Sequence, residues 1–294
     1  MSVSLLPLTD RASAVPFAGM TYPHFVPALL GGSAVAVGAT DPEPCGLVLA
    51  ELQGDHAVVR SVLVKATHRG RGIGTRLMRA AEDALRARGA TGLSGTYPAG
   101  KETTPALERV LAKCGWDAPE PSMYLFTLPP ETAATAPRTA LWLQPREWPA
   151  GFELVRWPDI PPEAFDEVAG RVESGEVPAI VSPFLDPDAI VPHFSIALLG
   201  GGRMAAWAAI HRVGTTYRCT ALYADPKTVP PGVGMQLLGR TYWQWLELVD
   251  GGDTSPVSFG IHAANPFLRV FQRRVLPSMV GHTVTVTMSC GKSF

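Results

Sequence analysis

The run Val62-Leu63-Val64-Lys65-Ala66-Thr67-His68-Arg69-Gly70-Arg71-Gly72-Ile73-Gly74-Thr75-Arg76-Leu77-Met78 decides how this chain is read. It begins as an apolar strand, passes through a loop with glycine at every second position, and continues as a helix. From Ile73 the apolar residues fall at Leu77, Met78, Ala81, Ala84 and Leu85, the spacing of one buried helical face, while Arg76, Arg79, Asp83 and Arg86 fill the other. A helix start leaves backbone N–H groups without partners, with the positive end of the helix dipole behind them. Glycines let a bulky anion approach those groups, and Arg69 and Arg71 add full charges. The loop therefore reads as a phosphate cradle. It lacks the Gly-Lys-Ser/Thr ending of a nucleoside-triphosphate loop, and its glycines run G-x-G-x-G where a dinucleotide fingerprint needs G-x-G-x-x-G.

With Arg69-Gly70-Arg71-Gly72-Ile73-Gly74 in view, the segment resembles the acyl-CoA pyrophosphate loop of the GNAT acyltransferase superfamily. That family's pattern is Arg/Gln-x-x-Gly-x-Gly/Ala after a strand ending Val-x-Pro-x-x; here Ala66 stands where proline is usual. The resemblance implies that pantetheine hydrogen-bonds along Val62, Leu63 and Val64, and that a backbone N–H at Val62 points at the thioester oxygen. It further implies that Arg69, Gly70, Arg71, Gly72, Ile73, Gly74 and Thr75 hold the pyrophosphate of acetyl-CoA or another acyl-CoA.

Working outward, residues 33–37, 46–52 and 56–64 read as strands, the last two joined as a hairpin over Gln53-Gly54-Asp55. A helix over 72–88, a strand over 92–97, a helix over 105–113 and a strand over 123–126 follow, which is the GNAT order. Residues 129–139 carry no large apolar side chain and read as a linker. Beyond it come a strand over 152–157, a helix over 162–173, and a hairpin of 204–211 with 217–224.

The second half contains a partial copy of the decisive loop. Shifted by 160 positions, Gly72, Ile73, Gly74, Leu77 and Met78 fall on Gly232, Val233, Gly234, Leu237 and Leu238. Such a match argues for an internal repeat of domain size. Val229, Pro230 and Pro231 replace Arg69, Gly70 and Arg71, which removes two backbone donors and both charges. The expected fold class is α/β (α+β), with two tandem GNAT-like domains, each a central mixed, mostly antiparallel sheet flanked by helices. The expected division is 1–128, a linker over 129–149, and 150–294 with a degenerate loop. The resemblance extends to tandem acyltransferases of antibiotic pathways, hence a role in secondary metabolism.

Composition narrows the partners. The 294 residues are 46% hydrophobic and 17% charged with a net charge of -1, a globular balance that gives no global attraction to nucleic acid or an anionic membrane. Cys45, Cys114, Cys219 and Cys290 form no C-x-x-C pair, and the histidines lack ligand spacing, so no metal is expected. Residues 12–40 carry no Asp, Glu, Lys or Arg, but Pro16, Pro23 and Pro27 break any spanning helix there. With no secretory pattern at the start, the expected compartment is the cytoplasm.

The acid–base residues are harder to read. In the family's histone-acetyltransferase branch the glutamate base would fall on Val58, and in many small-molecule branches the tyrosine acid would fall on Leu111. Neither position carries the group. Strand alternation puts His56, Val58 and Arg60 on the side of Val62, which makes His56 a candidate base and Arg60 either a carboxylate clamp or a partner for Glu51. Glu51 is a further base candidate and Tyr124 a further acid candidate. The function expected is acyl transfer, most simply of an acetyl group, to the amine of a small molecule. A carrier-protein thioester donor and a non-catalytic acyl-CoA-binding or scaffold role stay open, as does the oligomeric state.

Overall fold

The computed structural model describes residues 3–135, 138, 140–144 and 146–294. The chain divides into two compact units, residues 1–123 together with 285–294, and residues 124–284. The sequence had suggested a first domain of 1–128 and a second of 150–294; residues 285–294 instead count with the first unit.

In the first unit, strand β1 (Ser4–Pro7) is followed by helices α1 (Arg11–Ala14) and α2 (Val26–Gly31), then strands β2 (Val35–Thr40), β3 (Pro44–Gln53) and β4 (His56–Val64). Helix α3 (Ile73–Arg86), strand β5 (Gly92–Pro98) and helix α4 (Thr104–Lys113) complete the pattern. Strand β6 (Glu120–Leu128) contains the change-over between the units. The strands lie in the order β1-β2-β3-β4-β5, followed by the C-terminal strand (Thr283–Ser293).

Strand β3 is central and buried on both faces. Leu47 and Leu49 meet Phe17, Met20 and Leu29 on one side. Val48 and Ala50 meet Ile73, Leu77, Met78 and Leu85 of α3 on the other. Burial of each such side chain contributes roughly 1.5–3 kcal/mol. The close approach of α3 needs Gly46, where a Cβ would stand 2.8 Å from Leu77 Cδ1.

The second unit runs through β7 (Phe152–Arg156), α5 (Pro162–Glu173), β8 (Ile196–Gly200), β9 (Arg203–Val213), β10 (Thr216–Ala224), α6 (Val233–Asp250), β11 (Val257–His262) and α7 (Phe267–Arg274). The C-terminal strand, β12 (Thr283–Ser293), follows. Its sheet order is β11-β10-β9-β8-β7, and its core gathers Phe126, Phe259, Phe271 and Trp245. The expected linker is more structured than its composition suggested. Short 3-10 turns occupy Pro130–Thr135 and Leu141–Leu143, and Ala133 and Leu143 are buried in this core.

The repeat read at 160 positions extends to irregularities that the sequence did not reveal. In the β3–β4 ladder Leu49 pairs Ser61 while Ala50 pairs Val59, leaving Arg60 as the bulged residue. In the β9–β10 ladder Ile210 pairs Cys219 while Ala209 pairs Ala221, leaving Thr220. Arg60 and Thr220 are 160 apart, as are Gly72 and Gly232, the left-handed N-cap residues of α3 and α6. The parallel ladders stop at matching places, Val59–Gly95 and Cys219–Phe259.

Candidate functional site

Beyond Val59–Gly95 strands β4 and β5 no longer pair: β4 continues along β3 and β5 continues along β12 through Pro98–Thr287, and the two part from each other. A cleft of about 630 Å³ opens at this divergence, wholly within the first unit. Val59 to Leu63 form one wall and Gly95 to Pro98 another, with Leu107 and Leu111 of α4 beside them. Lys101, Glu102 and Tyr22 stand at the polar margin.

Strand β4 leads from this cleft through a 3-10 turn (Ala66–His68) into the glycine loop. Gly70 and Gly72 have φ of 77° and 73°, a region that side-chain-bearing residues rarely enter. The first bond of the α3 ladder runs from Arg76 N–H to Gly72 O at 3.1 Å, so the N–H groups of Ile73, Gly74 and Thr75 precede it. A Cβ at Gly70 or Gly72 would meet nothing within 4 Å, so the space above the loop is open. Arg69 donates from Nε to Val64 O at 3.1 Å. Arg71 reaches Asp41 at 3.0 Å but remains 45% exposed. The donors, the open space and the two guanidinium groups fit a diphosphate.

The structure separates the side chains that the sequence proposed for proton transfer. The bulge at Arg60 breaks strand alternation: Val59, Val62 and Val64 all pack on the α3 side, despite the odd spacing between the first two. His56 and Val58 therefore do not share a face with Val62, which corrects the alternation argument. His56 is exposed at the hairpin end, its Nε2 2.9 Å from Ser94 Oγ, and it does not line the cleft. Glu51 accepts from Arg60 Nε at 2.7 Å, so both candidates are spent on one ion pair, with Arg60 alone lining the cleft. Tyr124 packs against the core of the second unit and lies outside the cleft. Leu111 does line the cleft, so the expected acid position is there without its hydroxyl.

A group that sequence reasoning missed stands nearby. Tyr97 lines the cleft and donates its hydroxyl to Glu108 Oε1 at 3.0 Å. Burial, reinforced by the hydrogen bond to and charge of Glu108, pushes its phenol well above the usual tyrosine range. Only α4 packing beside β5 brings these residues together, and nothing local in the sequence announces it.

The second loop is built differently. Asp225 caps it, accepting from the backbone N–H of Lys227 at 2.9 Å and from the hydroxyl of Thr228 at 2.8 Å. Val229 is buried, and Pro230 and Pro231 carry no N–H. In place of Arg60 and Glu51 this unit has Thr220 and His211, with Thr220 Oγ1 2.5 Å from His211 Nδ1.

Comparison with known proteins agrees with the architecture. Residues 9–115 match the model of the Acetyltransferase (GNAT) family, the family that the loop resembles. No curated protein matches the sequence. Among solved structures, a GCN5-related N-acetyltransferase from Sphaerobacter thermophilus is 15% identical with a TM-score of 0.61, over 98% of this chain and 95% of that one. A tandem GNAT protein from the clavulanic acid biosynthesis pathway, in a structure without AcCoA, is 16% identical with a TM-score of 0.59, over 98% of both chains. A probable N-acyltransferase from Enterococcus faecalis is 12% identical with a TM-score of 0.57, over 99% of this chain and 72% of that one. At these identities the likeness is one of fold, and that fold is the tandem GNAT architecture.

No helix among the described residues is long and apolar enough to cross a membrane. No group of three or more His, Cys, Asp or Glu among them is arranged to hold a metal ion. The four cysteines are buried and unpaired.

Proposed function

We propose that the protein is an acyl-CoA-dependent N-acyltransferase that binds its donor in the first unit and acylates the amine of a small molecule. The observation that carries this reading is the junction of two features on one strand. The edge of β4 is freed beyond Val59, and the same strand runs into a glycine loop whose N–H groups precede the α3 ladder. A pantetheine arm needs the first and a pyrophosphate the second. The second unit keeps the fold but has exchanged charges and donors for prolines, so we assign it no donor.

Calorimetric titration of free CoA into the wild type and an Arg69→Ala/Arg71→Ala variant tests the reading. Loss of two charge-assisted phosphate contacts is expected to weaken binding by about 3 kcal/mol, more than a hundredfold. Unchanged binding in the variant would move the site elsewhere. Absence of binding in the wild type would leave the carrier-protein donor, which lacks the adenosine diphosphate half, or the scaffold role.

Within this reading Tyr97 supplies a proton to the departing thiolate, standing in for the hydroxyl missing at Leu111, and Glu108 orients it. Tyr97→Phe is expected to lower kcat about a hundredfold while CoA affinity holds. Because its pKa is raised above the ordinary value of 10.0, the wild type should keep this proton across the neutral and mildly alkaline range. A loss confined to KM would remove Tyr97 from the chemistry.

A further inference from the structure

The vertex of the cleft, where β4 and β5 part, is built from apolar surface. Val59, Gly95, Leu111, Trp116 and Cys290 meet there. Trp116 and Leu111 are 7% and 5% exposed, so their remaining accessible surface is what the cleft leaves open. The polar atoms of this group are turned away from the space. Trp116 Nε1 donates to the buried Glu82 at 2.8 Å, and Cys290 Sγ to Gly95 O at 3.9 Å. The Tyr97 hydroxyl beside them, proposed above to serve the thiolate, rests on Glu108 at 3.0 Å. Gly95 leaves a gap in the floor: a Cβ built there would lie 3.7 Å from Trp116 Cζ3, 3.7 Å from the backbone oxygen of Val59 and 3.8 Å from Val59 Cβ, ordinary contact with no clash. A methyl would fit at position 95, and none is present.

An acetyl group has one methyl to offer such a surface. The side chains that meet at this vertex present carbon to it, and an acyl chain resting on them gains free energy from the burial of its methylenes. We infer that the donor acyl group is larger than acetyl: a straight, unsubstituted aliphatic chain whose end rests in the gap at Gly95 between Val59, Leu111, Trp116 and Cys290. The inference rests on the proposal that the first unit binds acyl-CoA, and it deepens that proposal by naming the class of acyl group.

The test is a titration series with free CoA and with acetyl-, butyryl-, hexanoyl- and octanoyl-CoA, all below their micelle-forming concentrations, into the full-length wild type and Gly95→Val. Each methylene buried should tighten binding roughly fourfold until the floor is reached. Butyryl-CoA, two methylenes longer than acetyl-CoA, is thus expected to bind roughly tenfold or more tightly, and hexanoyl-CoA at least as tightly as butyryl-CoA, with the gain levelling off at longer chains. In Gly95→Val, which fills the gap, the gain is expected to vanish. Equal affinity for acetyl- and hexanoyl-CoA in the wild type would overturn the inference, leaving the apolar vertex to an acceptor. A gain that persists in Gly95→Val would overturn it too, by revealing adsorption to some other surface. If Gly95→Val does not fold, Cys290→Ala serves instead; it enlarges the same space and should move the levelling-off to longer chains, and an unmoved levelling-off counts against the inference. Free CoA carries no acyl group and reads the loop alone. Its failure to bind would sink the CoA reading itself, whereas binding of CoA without a chain-length gain sinks only the inference drawn here.

Discussion

Replacing Lys292 by methionine is expected to destabilise the first unit by about 3–5 kcal/mol. Lys292 lies on β12, and its Nζ stands 2.6 Å from Oε2 of Glu82, a carboxylate of α3 that is only 4% exposed. The same ammonium also donates to the carbonyl of Cys114. The other carboxylate oxygen accepts from Trp116 Nε1 at 2.8 Å. Removing the ammonium leaves a buried negative charge with one neutral donor, and an uncompensated buried charge is what makes breaking such pairs costly. The pair itself need not contribute much beyond apolar packing. The double variant Lys292→Met/Glu82→Met should therefore recover most of the loss. Urea unfolding followed by far-ultraviolet circular dichroism measures both. A loss below about 1 kcal/mol in the single variant would mean that water reaches Glu82 and that the pair behaves as an exposed one.

Arg171→Met is expected to cost the second unit about 3 kcal/mol, the lower end of the range for a broken buried pair. Arg171 bonds Asp225 Oδ2 at 2.7 Å with both side chains less than a tenth exposed, and it also donates to Met204 O at 3.1 Å. Asp225 keeps its Lys227 and Thr228 donors in the variant, which limits the loss. Burial alone would raise the Asp225 pKa, but the Lys227 N–H, the Thr228 hydroxyl and the Arg171 charge outweigh it and hold the carboxyl below its ordinary 3.8. A carboxyl whose folded pKa is depressed contributes stability above the unfolded pKa and loses it as pH falls through the folded one. The wild type should therefore lose this contribution only below about pH 4, and Arg171→Met should lose what remains at a higher pH. Thermal melts of both proteins between neutral and acid pH decide this; identical acid limbs would show that Arg171 does not set the ionisation of Asp225.

What could be read from the sequence follows the range of the forces involved. The loop from Arg69 to Thr75 was legible because glycine spacing, charge and the apolar face of α3 are all local. The copy at Gly232 was legible for the same reason. The bulges at Arg60 and Thr220 were not, since one extra residue in a ladder leaves no compositional trace, yet the first of them decides which way Val62 faces. Strand β12 was missed outright. Its Thr-Val-Thr-Val-Thr start satisfies the alternation of any half-buried strand, and only the structure reveals that Thr287–Ser293 pair with Gly92–Pro98. Tyr97 and Glu108 escaped because their meeting depends on how α4 lies beside β5.

The return of residues 285–294 to the first unit also sets a clock. A domain contiguous in sequence can close as soon as its last residue leaves the ribosome. Here residues 1–123 must wait while everything through residue 284 is translated. At about 5–20 residues per second that interval is on the order of 10–30 s. Throughout it Gly92–Pro98 lacks its β12 partner and Glu82 lacks its ammonium ion. The nascent first unit is thus a species with an open strand edge, the state in which such chains pair with the wrong neighbour or engage chaperones.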